Sequence, residues 1–131
     1  MDNIGLFVVT ILAVIFVTPY LYMHISARRA VGQPVSINNH LSDSETNPDQ
    51  TAYFYFMSKN CSMCKSMTPV IEKLKSDNSN ILIIDINHDP QLAKEFHVYG
   101  TPTLMAVHDG FIKKVKLGKL SPKRLEQFMA D

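Results

Sequence analysis

The chain opens on 21 residues without a charged side chain, NIGLFVVTILAVIFVTPYLYM from Asn3 to Met23. A run of this length matches the ~20 apolar residues that cross a bilayer core. It is apolar on every side rather than along one stripe, and a small domain has no way to bury such a helix. Tyr20 and Tyr22 stand where an interfacial aromatic belt would lie, and Arg28 and Arg29 follow as an anchor. Pro19 comes near the end, where a kink is tolerated. A cleaved signal peptide is the rival reading. Against it, Asp2 is the one charged side chain before the run, and Ser26-Ala27 is a poor cleavage site. Residues 1–27 are therefore expected to form a transmembrane anchor of a single-pass membrane protein. The positive-inside rule, resting on Arg28 and Arg29 alone, places the C-terminal part of the chain in the cytoplasm. From His24 to Gln50 the chain turns polar and irregular, broken by Gln33-Pro34 and Asn47-Pro48. Residues 28–50 read as a linker or a degenerate first strand, with Val35 to Ile37 as a candidate edge strand.

Residues 51–131 carry the patterns of an α/β domain. TAYFYFM, Thr51 to Met57, is aromatic-rich and strand-like. Met67, Val70, Ile71 and Leu74 then recur at i, i+3, i+4 and i+7, the stripe of a helix, with Pro69 inside it as a predicted kink. ILIIDI, Ile81 to Ile86, is nearly continuous and β-branched, as in a strand buried on both faces. Asn87-His88-Asp89-Pro90 is a helix start, with a capping side chain ahead of a proline. The helix QLAKEFH follows. Thr103 to Val107 and Phe111 to Leu117 are strands around the turn Asp109-Gly110. Ser121-Pro122 opens a last helix with Leu125, Phe128 and Met129 on one face. Strands that alternate with helices are expected to be parallel, and the last two strands to form a hairpin.

Composition and charge narrow the function classes. The chain is 46% hydrophobic and 19% charged, which argues against disorder along most of its length. A formal net charge of +1 and scattered lysines exclude a nucleic-acid footprint. Two cysteines make no disulfide framework, so if they matter, their reason is chemistry.

Both lie in SKNCSMCKSM, after a strand and at a helix start. Helical spacing brings Cys61 and Cys64 together. At a helix N-terminus, free N–H groups and the macrodipole favour a thiolate, and Lys59 and Lys65 add positive charge. Such a pair can exchange with a disulfide: Cys61 attacks, and Cys64 resolves the mixed disulfide. Structural zinc needs four ligands, and His88, His97 and His108 stand at no ligand spacing, so no metal site is assigned. Haem attachment would need His where Lys65 stands. Two inert core thiols remain as the third reading.

Downstream the chain reads FHVYGTPTL, VHDGFIKKVKLG and LSPKRLEQFM. With Cys61-Ser62-Met63-Cys64 and Gly100-Thr101-Pro102-Thr103, residues 51–131 resemble the thioredoxin family. The resemblance implies a thioredoxin-like fold, a central mixed sheet flanked by helices, preceded here by one transmembrane helix. It implies thiol–disulfide oxidoreductase activity with Cys61 and Cys64 as catalytic residues and no cofactor. It makes Pro102 a cis-proline and Thr101 a backbone partner for substrate, with Asn60 and Met63 as further substrate contacts. The implied partners are protein disulfides and an upstream dithiol donor or oxidant. Three departures stand out: Asn60 replaces the usual Trp, Ser62-Met63 replaces Gly-Pro, and Tyr55 occupies the position of a buried acid. Asp85, on the neighbouring strand, reads as a solvated or capping residue. The departures keep open a second class of function, a tethered binding module that holds a partner or a soft metal such as Cu(I) through the cysteines.

Overall fold

The structure, a computed structural model, describes residues 2–35 and 50–130. Eight elements follow in order: α1 (Asp2–Arg29), β1 (Ala52–Met57), α2 (Ser62–Asp77), β2 (Ile81–Asp85), α3 (Pro90–Glu95), β3 (Thr103–His108), β4 (Phe111–Leu117) and α4 (Pro122–Ala130). The strands form one mixed sheet in the order β2-β1-β3-β4. β1 and β2 are parallel, as the alternation of strands and helices requires. β3 departs from that alternation and runs antiparallel to β1, in the register Phe56↔Thr103. The chain then reverses through Asp109 and Gly110, both at positive φ, the backbone of a two-residue hairpin turn.

Aromatic burial explains why β1 lies at the centre. Phe54 and Phe56 point to one face and meet Phe96, just past α3, at ring-centroid distances of 4.8 and 5.3 Å. All three rings are fully buried, each contributing about 1.5–3 kcal/mol. Tyr53 and Tyr55 point to the other face, into a cluster with Met67, Ile71, Leu104 and Leu125 from α2, β3 and α4. β2 is less enclosed than its apolar run suggests. Ile81 is buried and Leu82 to Asp85 are half-buried, because β2 forms an edge of the sheet among the described residues.

The helix starts follow their capping residues. Asp89 accepts a hydrogen bond from Leu92 N at 3.0 Å and precedes Pro90. Ser121 Oγ accepts from Arg124 N. α2 continues through Pro69 to Asp77. At the end of α3, His97 N donates to Lys94 O and Val98 N to Ala93 O, while His97 takes a left-handed φ of 54°. This is a Schellman turn with His in the place of the usual Gly, and it sends Val98, Tyr99 and Gly100 toward the Thr101–Pro102 bond.

α1 does not end where the polar sequence begins. It extends through Arg29, so residues 24–29, irregular by their polar pattern, are helical. The reason is tertiary: Met23, Ser26, Ala27 and Ala30, spaced on one face, pack toward the domain, and Ala30 is buried in its core. Ahead of this contact α1 exposes its apolar side chains, as a membrane helix does. Beyond it, Gly32 N donates to Ile112 O, Ile112 N to Gln33 O, and Val35 N to Gly110 O. The expected edge pairing thus sits at Pro34, bridged to Phe111. Ser36, Ile37 and the break at Asn47-Pro48 lie outside the described residues.

Candidate functional site

The site is built at the carboxyl ends of β1 and β2. β1 ends at Met57, and the chain turns through Ser58, Lys59 and Asn60 into α2, with Cys61 N donating to Ser58 O at 3.1 Å. Cys61 is the N-cap of α2, in extended backbone, and its Sγ accepts from Cys64 N at 3.2 Å. Cysteine thus fills a position where Ser, Thr, Asp or Asn usually bind a free helical N–H. The same geometry that caps the helix steadies negative charge on sulfur.

Cys61 and Cys64 form a disulfide with their Cα atoms 5.2 Å apart. The sulfurs are unequal in access. Cys64 is fully buried and Cys61 is half-buried at the surface. An incoming sulfur can therefore meet Cys61, while Cys64 is confined to its neighbour.

Pro102 approaches the turn from the next strand. Because Thr103 pairs with Phe56, Pro102 is set beside the end of β1, and the Thr101–Pro102 peptide bond is cis. Pro102 is buried and Thr101 half-buried. Asn60 and Met63 are exposed on the rim, Met63 at 48%. Cys61, Cys64, Pro102 and Thr101 thus converge by topology, with Asn60 and Met63 flanking the first cysteine.

The position of the family's buried acid holds a different device. Tyr55 is fully buried and its hydroxyl shares a hydrogen bond with Thr68 Oγ1 of α2 at 3.1 Å. Burial raises its pKa above the ordinary tyrosine value, and the Thr68 bond offsets part of that. The phenol stays neutral and supplies no carboxylate to Cys64.

Sequence reasoning missed a polar chain under the turn. Asn87 Nδ2 donates to Ser58 Oγ at 2.9 Å and to Asp85 Oδ1 at 3.1 Å. Asp85 Oδ1 also accepts from Asn87 N, and Ser58 Oγ accepts from Asn60 N. This chain ties the end of β2 to the turn ahead of Cys61. Asp85 has a structural part in it, closing the turn at the strand end. The sequence pattern groups Asn87 with the helix start, a role that Asp89 fills. The serine after a strand and the Asp-x-Asn spacing are the signals that could have revealed the chain.

A family model described as Thioredoxin matches residues 35–131. The chain belongs to the thioredoxin family. A thioredoxin of Staphylococcus saprophyticus is 40% identical over 53 residues, 38% of this chain and 51% of that protein. One of Rhodospirillum rubrum is 30% identical over 77 residues, 56% of this chain and 74% of that protein. The chain thus spans about half the length of the first relative and about three quarters of the second. Among solved structures, a mutant thioredoxin of Halobacterium salinarum superposes with a TM-score of 0.58 at 25% identity, covering 76% of this chain and 83% of that one. Family membership, with a cysteine pair at disulfide distance, supports thiol–disulfide oxidoreductase activity.

Proposed function

We propose that this protein is a membrane-tethered thiol–disulfide oxidoreductase acting on protein disulfides. The observation that carries the reading is the inequality of the two sulfurs, one accessible at a helix N-terminus and one buried a turn below. In the dithiol form, the Cys61 thiolate attacks one sulfur of a substrate disulfide. A Cys61–substrate bond forms, and the other substrate sulfur leaves as a thiolate that takes a proton. Cys64 then gives up its proton and attacks Cys61 Sγ, which releases the second substrate sulfur. The Cys61–Cys64 disulfide that remains has gained the bond the substrate lost, with two electrons transferred. An upstream dithiol restores the reduced pair, and the same steps in reverse oxidise a substrate dithiol. Thr101 presents backbone to the substrate beside Pro102, and Asn60 and Met63 contact it from the rim.

Tethering rests on α1, one helix long and apolar enough to cross a membrane. The half-burial of Met23, Ser26 and Ala27, on the face of α1 that packs on the domain, supports retention of this segment, since removal of the helix would uncover the surface it packs on. The test is reduction of insulin by the full chain in detergent, with a dithiol donor. Wild type is expected to turn over, Cys61→Ser to be inactive, and Cys64→Ser to accumulate mixed disulfides. Wild-type activity no higher than that of Cys61→Ser rejects the enzyme reading; stoichiometric Cu(I) binding would then favour the holding module.

A further inference from the structure

We infer that the redox end of the domain faces the bilayer surface, and that its partner is a cysteine pair at headgroup level in another membrane protein. The inference rests on the tethered oxidoreductase reading and adds its orientation and substrate class.

The uncharged part of α1, Asn3 to Met23, spans about 31 Å at 1.5 Å per residue, close to the ~30 Å hydrocarbon core. Met23 therefore marks the edge of the core. At that level it meets the domain: Met23 and Ala27 line a small cavity with Val98, Tyr99, Gly100 and Leu117. Further along, Gly32 binds Ile112. α1 and β4 thus run antiparallel, and β4 descends from Phe111 toward the membrane at Leu117.

Strand register carries this direction through the sheet. Leu117 pairs with Thr103, Thr103 with Phe56, and Met57 with Asp85. The start of β3 and the ends of β1, β2 and β4 all lie at the membrane end. Cys61 follows the end of β1, and Pro102 precedes the start of β3. Gly100, one residue from Thr101, lies directly against Met23.

The surface at this end suits the headgroup layer. Tyr99 is 55% exposed and meets Tyr22 edge-on at 5.9 Å, so the domain adds a ring to the helix's own aromatic belt. Among the described residues that follow α1, Met63 is the other exposed large hydrophobic residue at this end. Lys59 and Lys119, both exposed, follow the ends of β1 and β4 at this end and favour anionic lipid. Phe111, also exposed, lies at the opposite end of β4. A globular substrate about 30 Å across has no room between this face and the lipid. A membrane protein's interfacial segment, already at that depth, does.

The test uses the full chain in nanodiscs. The protein has no tryptophan, so Tyr99→Trp and Phe111→Trp each introduce a single fluorophore. Lipids brominated high on the acyl chain are expected to quench Trp at 99 strongly and Trp at 111 little. Equal quenching at both sites, or none at 99, overturns the orientation. For the partner, the probe is a palmitoylated disulfide peptide in the same nanodisc, its cystine joined to the anchor by a short or a long hydrophilic spacer. Wild type is expected to reduce the short-spacer peptide about tenfold faster. A flexible Gly-Ser insertion after Arg29, which frees the domain without detaching it, is expected to abolish that preference. An equal or reversed preference in wild type overturns the partner assignment. An unanchored disulfide peptide reports exchange chemistry separately: if wild type and Cys61→Ser reduce it equally, the oxidoreductase reading fails, while the quenching still decides orientation.

Discussion

The packing of Met23 on Gly100 is a contact between α1 and the loop that carries Pro102, and a double-mutant cycle isolates it. A Cβ placed on Gly100 would fall 2.6 Å from Met23 Sδ and 3.4 Å from Leu117 Cδ1. The first distance is about 1 Å inside an ordinary carbon contact; the second needs little adjustment. Overpacking of this kind costs about 1–3 kcal/mol. Met23 is half-buried and flexible, so Gly100→Ala is expected near the lower end, about 1 kcal/mol. Met23→Ala removes the sulfur, and in that background Gly100→Ala is expected to cost under about 0.5 kcal/mol. The coupling between the sites is then about 0.5–1 kcal/mol. For a domain of this size, about 1 kcal/mol moves Tm by about 4–8 °C. Near-UV circular dichroism of the full chain in micelles, heated singly and in combination, reads the four corners of the cycle. If Gly100→Ala costs the same with and without Met23, the helix does not dock there, and the membrane-facing orientation loses its anchor point.

Other expected outcomes follow from the site. Asn87→Ala removes two hydrogen bonds beneath the cysteine turn and is expected to cost about 1–2 kcal/mol in urea unfolding. Asn87→Asp, which sets a carboxylate against Asp85, is expected to cost more, and the opposite order would refute the donor role of Asn87. In reducing buffer Cys61→Ser and Cys61→Ala should both lack exchange activity. The alanine variant should be about 1 kcal/mol less stable, since serine can still cap α2; equal stabilities would show that the cap contributes nothing. Tyr55→Phe is expected to cost about 1 kcal/mol at neutral pH through loss of the Thr68 bond. Because burial raises the folded pKa of Tyr55, its contribution is full below the unfolded value near 10 and is lost as pH rises through the folded value. The stability gap between wild type and Tyr55→Phe should therefore shrink in alkali; a constant gap would contradict the buried, neutral phenol.

The legible parts of the chain were those whose physics is local. The stripe of Met67, Val70, Ile71 and Leu74 announces α2, and Asp109-Gly110 announces a turn that needs positive φ at both residues. Cys61 could be placed at a helix start for the same reason. The errors came where neighbours decide. Ile81 to Ile86 looks like a central strand, yet among the described residues it stands at an edge and is mostly half-buried, because burial depends on what stands alongside. His24 to Arg29 looks irregular, yet it stays helical, because one face packs on the domain.

The site divides in the same way. Residue identity determined that two thiols sit a helical turn apart, that Tyr55 offers no carboxylate, and that an uncharged run long enough for a bilayer precedes the domain. Those are properties of composition and short spacing. Tertiary structure decided that Pro102 is set beside the end of β1, that Asn87 braces the turn through Ser58, and that Met23 touches Gly100. Each of these contacts joins residues 29 or more positions apart in the chain. Their meeting is set by strand register and helix packing, through the burial of Phe54, Phe56 and Phe96 against the sheet, and no local pattern carries that information.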